Sequence, residues 1–241
     1  MDLHRESIDK IIPVMRHPIQ SYAEQVTMLG GNNIIGLVLF GAIAAGQFDP
    51  KRHSAQNVLI CDAIDLNMLR GLAKLGVKIG KANIAAPLIM TPSLIHRSLD
   101  SFALELLEIV QCHLNIIGED FFKELPFQEE YIRLQSEREL KAILIVMRQG
   151  LLAAAGREKR FSGLGTDSAQ RLIRTLRGMV WLKGIKEGLQ ETEVIEQVET
   201  LIQCRMIGVR NAISVSASHD WERFKTLYSD IEILEKKLDA W

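Results

Sequence analysis

LVLFGAIAAGQFDPKRHSAQNVLIC, residues Leu37 to Cys61, places two short apolar runs on either side of a turn of small residues and a charged loop. The runs IIGLVLF (34–40) and NVLIC (57–61) are branched, apolar and brief, the pattern of strands buried on both faces. Between them Gly41 and Ala42, followed by Ala44, Ala45 and Gly46, let another group approach the backbone closely, so their N–H groups are candidates to hold a phosphate. The competing reading is a packing turn that binds nothing. Lys51, Arg52 and His53 either add positive charge to such a site or form an ordinary solvated run.

Upstream, Ile19, Tyr22, Val26 and Leu29 recur at helical spacing, which predicts a helix from about Pro18 to Leu29, stopped by Gly30-Gly31, after a start broken by Pro13. Downstream, 66–75 reads as helix and AAPLIM (85–90) as a weaker strand. Thr91-Pro92 forms an N-cap and first-turn pair for a short helix through Leu99. FALELLEIV (102–110) fits either period. Beyond Pro126, Leu140, Ile143, Leu144, Met147 and Leu151 form the stripe of a long amphipathic helix, and three further stripes lie near 172–180, 194–202 and 221–238. The last stripe carries Trp221, Phe224 and Tyr228, which are expected to lie in the core. Four helices joined by short connections predict an antiparallel bundle, so the chain divides into an α/β domain over 1–125 and an all-α domain over 126–241.

The 241 residues are 47% hydrophobic and 24% charged, as in an ordinary globular protein, which sets aside disorder and a disulfide scaffold. Cys61, Cys112 and Cys204 stand far apart without a CxxC pair, so no structural zinc site is expected and a reducing compartment suits them. No apolar run reaches the roughly 18 residues of a membrane span, and MDLHRESIDK lacks a signal peptide's apolar core; the expectation is a cytoplasmic protein without a membrane partner. A formal net charge of -1 gives no general pull toward nucleic acid, though it leaves a local basic patch open.

Strand, Phe40-Gly41-Ala42, glycine-containing loop, second strand: this order resembles the nucleotidyltransferase fold shared by DNA polymerase beta and the antibiotic nucleotidyltransferases. PLIMTPSLIHRSLDSFALELLEIVQCHLNIIGED and the later LQSERELKAILIVMRQGLL resemble a bacterial branch of that superfamily with a carboxy-terminal helical domain, and the likeness spans about 20–155. It implies an α+β fold, with a mixed sheet and flanking helices followed by the helical bundle. It also implies nucleotidyl transfer with two Mg²⁺ ions held by an Asp-x-Asp pair and a third carboxylate. Hard cations need oxygen ligands, and residues i and i+2 of a strand face the same way, which is why that chemistry takes two acids at that spacing.

The matching positions depart from the pattern. Anchored on Val58-Leu59-Ile60, the Asp-x-Asp positions fall on Ala55 and Asn57, and the serine of the family's Gly-Ser turn falls on Ala42. Glu105, placed by the resemblance on a strand, is the candidate residual catalytic carboxylate. Asp49, Asp62 and Asp65 are poor replacements: Asp62 has the opposite strand parity to Asn57, Asp65 lies farther on, and Phe-Asp-Pro is a turn. The resulting expectation is a catalytically degenerate protein that binds a nucleotide or another phosphate-bearing small molecule at Gly41, Ala42, Asn57, Lys51 and Arg52. No metal is assigned, and Mg²⁺ enters only in the alternative of an active enzyme with relocated carboxylates. A third reading is a scaffold with a protein partner on the helical domain. Cys112-His113 lacks the further ligands of a metal site. The basic set Arg157, Lys159, Arg160, Arg171, Arg174 and Arg177 lacks interleaved aromatics, so nucleic acid is not the favoured partner.

Overall fold

The computed structural model describes residues 3–51, 53–155, 162–213 and 221–240. The chain separates into two units, one of residues 1–99 and 108–126, the other of 100–107 and 127–241.

The first unit opens with α1 (Arg5–Lys10) and α2 (Pro13–Gly30). α2 begins five residues before the expected Pro18, because Pro13 occupies the first turn, where its missing N–H costs nothing. Pro18 then lies inside the helix. Its loss of an internal hydrogen bond, about 3 kcal/mol, is offset by burial of Met15, Ile19 and Val26 at roughly 1.5–3 kcal/mol each. Gly31, at φ 55°, ends the helix in a conformation that side-chain-bearing residues avoid.

Four strands follow in the sheet order β3-β2-β1-β4: β1 (Ile34–Phe40), β2 (Gln56–Cys61), β3 (Leu88–Met90) and β4 (His113–Gly118). β1 is antiparallel to both neighbours, and β3 is parallel to β2. Between β2 and β3 run α3 (Leu66–Ala73) and α4 (Gly76–Lys81). α5 (Pro92–Arg97) starts as its cap predicts, with Thr91 Oγ1 accepting from the Leu94 N–H at 3.1 Å. One face of the sheet, including Leu37, Leu39, Leu59, Cys61 and Ile116, joins Ile19, Tyr22 and Val26 of α2 in one apolar cluster.

FALELLEIV is not a strand. Its residues enter α6 (Ala103–Gln111), with Leu104 and Leu107 buried one turn apart, and the strand edge is supplied instead by 113–118. Residues 100–107 group with the helices rather than with the sheet. Gln135 holds them there, its amide donating to the Asp100 carbonyl at 2.9 Å and its carbonyl accepting from the Leu104 N–H at 3.1 Å.

The second unit otherwise consists of α7 (Glu129–Ala154), α8 (Ser162–Leu182), α9 (Glu191–Ile202), α10 (Ile207–Ile213) and α11 (Trp221–Asp239). α7 packs on α8 and α11, and α8 on α9 and α10. Leu140, Leu144, Leu172, Leu176, Val194, Val198, Ile231 and Leu234 build its core. Phe224 and Tyr228 pack partly buried against that core, whereas Trp221 does not belong to it. The three rings stack along its flank, with centroids 5.9 and 6.3 Å apart, and Trp221 is 42% exposed. The short α10 crosses α11 so closely that a Cβ at Gly208 would meet the Thr226–Leu227 backbone at 2.4 Å. Asp230 seals that crossing, its carboxylate accepting from the Val209 N–H at 3.0 Å; burial nevertheless pushes its pKa up.

Candidate functional site

β1 ends at Phe40, and Gly41, at φ 70°, starts a tight 3-10 turn over Gly41–Ile43. The Ala44 and Ala45 N–H groups both donate to the Gly41 carbonyl, at 3.0 and 2.9 Å, and the Gln47 N–H donates to that of Ala42 at 2.9 Å. Gly46, at φ 72°, turns the chain out again. A Cβ at either glycine would touch nothing within 4 Å, so the positive φ and not crowding is what calls for glycine at both. Past this turn, Asp49 accepts from the Lys51 N–H at 2.9 Å, and its own N–H donates to His53 Nδ1 at 3.0 Å, leaving the neutral imidazole's proton on Nε2. Lys51 is exposed, whereas Arg52 lies outside the described residues.

The Asp-x-Asp positions sit at the start of β2, beside this turn. Asn57 pairs with Leu39 in the antiparallel register, so its side chain belongs to the face covered by α2. It is 1% exposed, and both ends of its amide are hydrogen-bonded within the fold. The Tyr22 hydroxyl donates to Oδ1 at 2.9 Å, and Nδ2 donates to the carbonyls of Ala85 and Ala55 at 2.9 and 3.3 Å. Burial raises the Tyr22 pKa well above the usual phenol range, so the phenol stays a donor. Ala55 is fully buried in the same apolar cluster as Phe48, Ile79 and Ile84.

These residues do not fit the two Mg²⁺ ions of nucleotidyl transfer. Ala55 has no donor atom, and Asn57 offers one neutral oxygen that a phenol already engages. The nearby acids are placed elsewhere: Asp62 is exposed beyond the end of β2, Asp65 caps α3 by accepting from Asn67 and Met68, and Asp49 closes its turn. Glu105 lies on α6, in the helical unit, where it meets Arg174 Nη1 at 2.9 Å. Among the described residues, no group of three His, Cys, Asp or Glu side chains could hold a metal ion.

His113 pairs with Phe40 across β1 and β4. Its Nδ1 lies 2.9 Å from the Ile109 carbonyl, and its Nε2 lies 3.0 and 3.1 Å from the two Asp120 oxygens. Both nitrogens are thus engaged within the fold, and Asp120 Oδ1 also accepts from the Phe122 N–H. Of the basic set in the helical unit, Arg171 is paired with Glu139 at 2.7 Å, Arg174 with Glu105, and Arg177 donates to the Leu189 carbonyl. Arg157, Lys159 and Arg160 fall outside the described residues. The residue at this strand end that sequence reading missed is Tyr22. Its phenol sits 35 positions from Asn57, and nothing local to either residue signals the bond.

No family model matches the chain, and no curated protein matches it. Among solved structures, it is similar to a spectinomycin adenyltransferase from Enterococcus faecialis, determined with ATP and spectinomycin. The two share 11% sequence identity, with a TM-score of 0.57 over 92% of this chain and 98% of that one. The chain has the nucleotidyltransferase fold.

Proposed function

We propose that this chain is a non-catalytic binding protein built on the nucleotidyltransferase scaffold. It takes a phosphate-bearing small molecule, with a nucleotide as the first class to try, at the Gly41–Gly46 turn without a metal pair. The observation that carries the reading is the closed state of the Asp-x-Asp positions. The residues there are not merely changed in identity; they are built into the core, Ala55 among aliphatic side chains and Asn57 saturated by Tyr22, Ala55 and Ala85. A carboxylate pair placed there without cations would be driven out by desolvation, so the surrounding packing has settled around neutral residues. The turn that precedes them is made of small residues, which let an anion come close to its backbone, and Lys51 and Arg52 follow later in the same loop. Nucleoside triphosphate is the first ligand class because the structurally similar adenyltransferase was determined with ATP.

Calorimetric titration with nucleoside triphosphates, once with Mg²⁺ and once with EDTA, tests this. The expected result is binding that survives EDTA and is weakened at least about tenfold by Gly41→Val, which cannot hold φ 70° without strain. Binding that strictly requires Mg²⁺ and is accompanied by triphosphate turnover would overturn it in favour of an active enzyme. Absence of binding in both buffers would also overturn it, leaving a scaffold.

A further inference from the structure

Between Leu66 and Leu99 the chain contains no acidic residue, while it carries Arg70, Lys74, Lys78, Lys81 and Arg97. Three of these cations, Arg70, Lys78 and Lys81, lie on α3 and α4, and Lys74 lies at their junction. Lys74 and Leu75, the residues joining those helices, keep right-handed helical dihedrals, so the two run on as nearly one helix. Met68, Leu72, Leu75 and Ile79 turn inward onto the first unit's core. The outward residues follow the spacing i, i+4, i+8, i+11, i+12, i+15 and read Leu66, Arg70, Lys74, Val77, Lys78, Lys81, all of them exposed. Two of the six are large aliphatics fully out in solvent, Leu66 at 79% and Val77 at 74% exposure. Arg70, Lys74 and Lys81 have no ion-pair partner among the described residues, and Lys78 reaches only the neutral Gln25, at 2.8 Å.

We infer that this face docks on an anionic lipid surface. A helix whose outer stripe mixes cations with protruding aliphatics suits a bilayer interface. The ammonium and guanidinium groups meet headgroup phosphates, and Leu66 and Val77 enter the boundary with the acyl chains. A nucleic acid would use the charge but not the aliphatics, and no aromatic residue stands between Phe48 and Phe102 to stack on bases. No helix of the described residues is long and apolar enough to cross a membrane, so the association is peripheral. The net charge of -1 conceals the stripe, because the balancing acids lie elsewhere in the sequence.

The test is sedimentation of the full chain with vesicles of phosphatidylcholine alone and of phosphatidylcholine with about one third phosphatidylglycerol, at low and at physiological salt. The expected result is partition onto the anionic vesicles only, declining as salt rises. The double variant K74E/K81E should reduce it by more than about tenfold, each lysine near an anionic surface being a substantial part of the attraction. L66S/V77S should weaken it several-fold without changing the salt dependence, and both variants should unfold at the wild-type temperature, since these side chains project into solvent. Equal binding to both vesicle types, indifference to K74E/K81E, or no partition at low salt would overturn the inference. So would tighter binding of RNA or of an acidic polypeptide that K74E/K81E abolishes and L66S/V77S leaves intact.

Discussion

Two regions of this molecule bury polar side chains, and they do so in opposite ways. In the helical unit, carboxylates remain. Asp230 accepts backbone N–H groups at the start of α10, and Glu199, with a side chain 10% exposed, takes a two-point contact from Arg210 at 2.9 and 2.6 Å together with the Met206 N–H at 2.8 Å. At the start of β2 stand an alanine and an amide, and the polar neighbours are a phenol and carbonyls. Donors of positive or partial positive charge decide the difference. A buried carboxylate persists where a guanidinium or several N–H groups meet it, whereas the start of β2 offers a phenol donor and carbonyl acceptors, which suit a neutral amide.

The comparison breaks most visibly if acids can be returned to β2. Ala55→Asp with Asn57→Asp should destabilise the protein by about 3–5 kcal/mol, because two uncompensated charges enter a closed core. Urea denaturation with and without Mg²⁺ measures it, and restoration of stability by Mg²⁺ would mean that the site still opens to metal. A smaller effect is expected at Glu199, where Glu199→Gln should cost about 1.5–3 kcal/mol, as for hydrogen bonds to charged groups. The Arg210 contact and the Met206 N–H hold the Glu199 pKa down to about 2 from an ordinary 4.5, against an opposing push from burial. A depressed carboxylate pKa stabilises the fold above the unfolded-state value, and the contribution drains away as pH falls from about 4.5 toward 2. Over that window the wild type should therefore lose its advantage over Glu199→Gln in thermal unfolding experiments. The smallest effect is Tyr22→Phe, expected to cost about 1 kcal/mol by removing one hydrogen bond. If the phenol is what holds Asn57 closed, nucleotide titrations of this variant should also become more sensitive to Mg²⁺.

How far the sequence discloses this architecture depends on whether the signal is local. β1 and β2 announce themselves as branched apolar runs, and the Thr91-Pro92 cap marks α5 to the residue. β4 escapes because His113 and Asn115 interrupt its apolar run, and its place beside β1 is fixed by pairing partners more than 70 positions earlier. The family likeness puts Glu105 on a strand, whereas Leu104 and Leu107 carry the helical spacing of α6, whose Leu104 N–H meets Gln135 and whose Glu105 meets Arg174. The identities Ala55 and Asn57 were legible in the sequence. Their closure was not, because it depends on Tyr22 and Ala85 arriving from distant parts of the chain. Trp221 misleads for a related reason: an aromatic stripe at helical spacing serves a flank as well as a core, and only the neighbours of α11 distinguish the two.

Tyr22 also turns the closed strand end into something that can be timed. Its phenol is held protonated far into alkali by the packing around it, so the ultraviolet step that marks phenolate formation records how often that packing parts and lets solvent in. In an alkaline pH jump, the lag of that tyrosine behind the half-buried Tyr131 and Tyr228 is a stopwatch on the breathing of the sheet beneath the glycine turn.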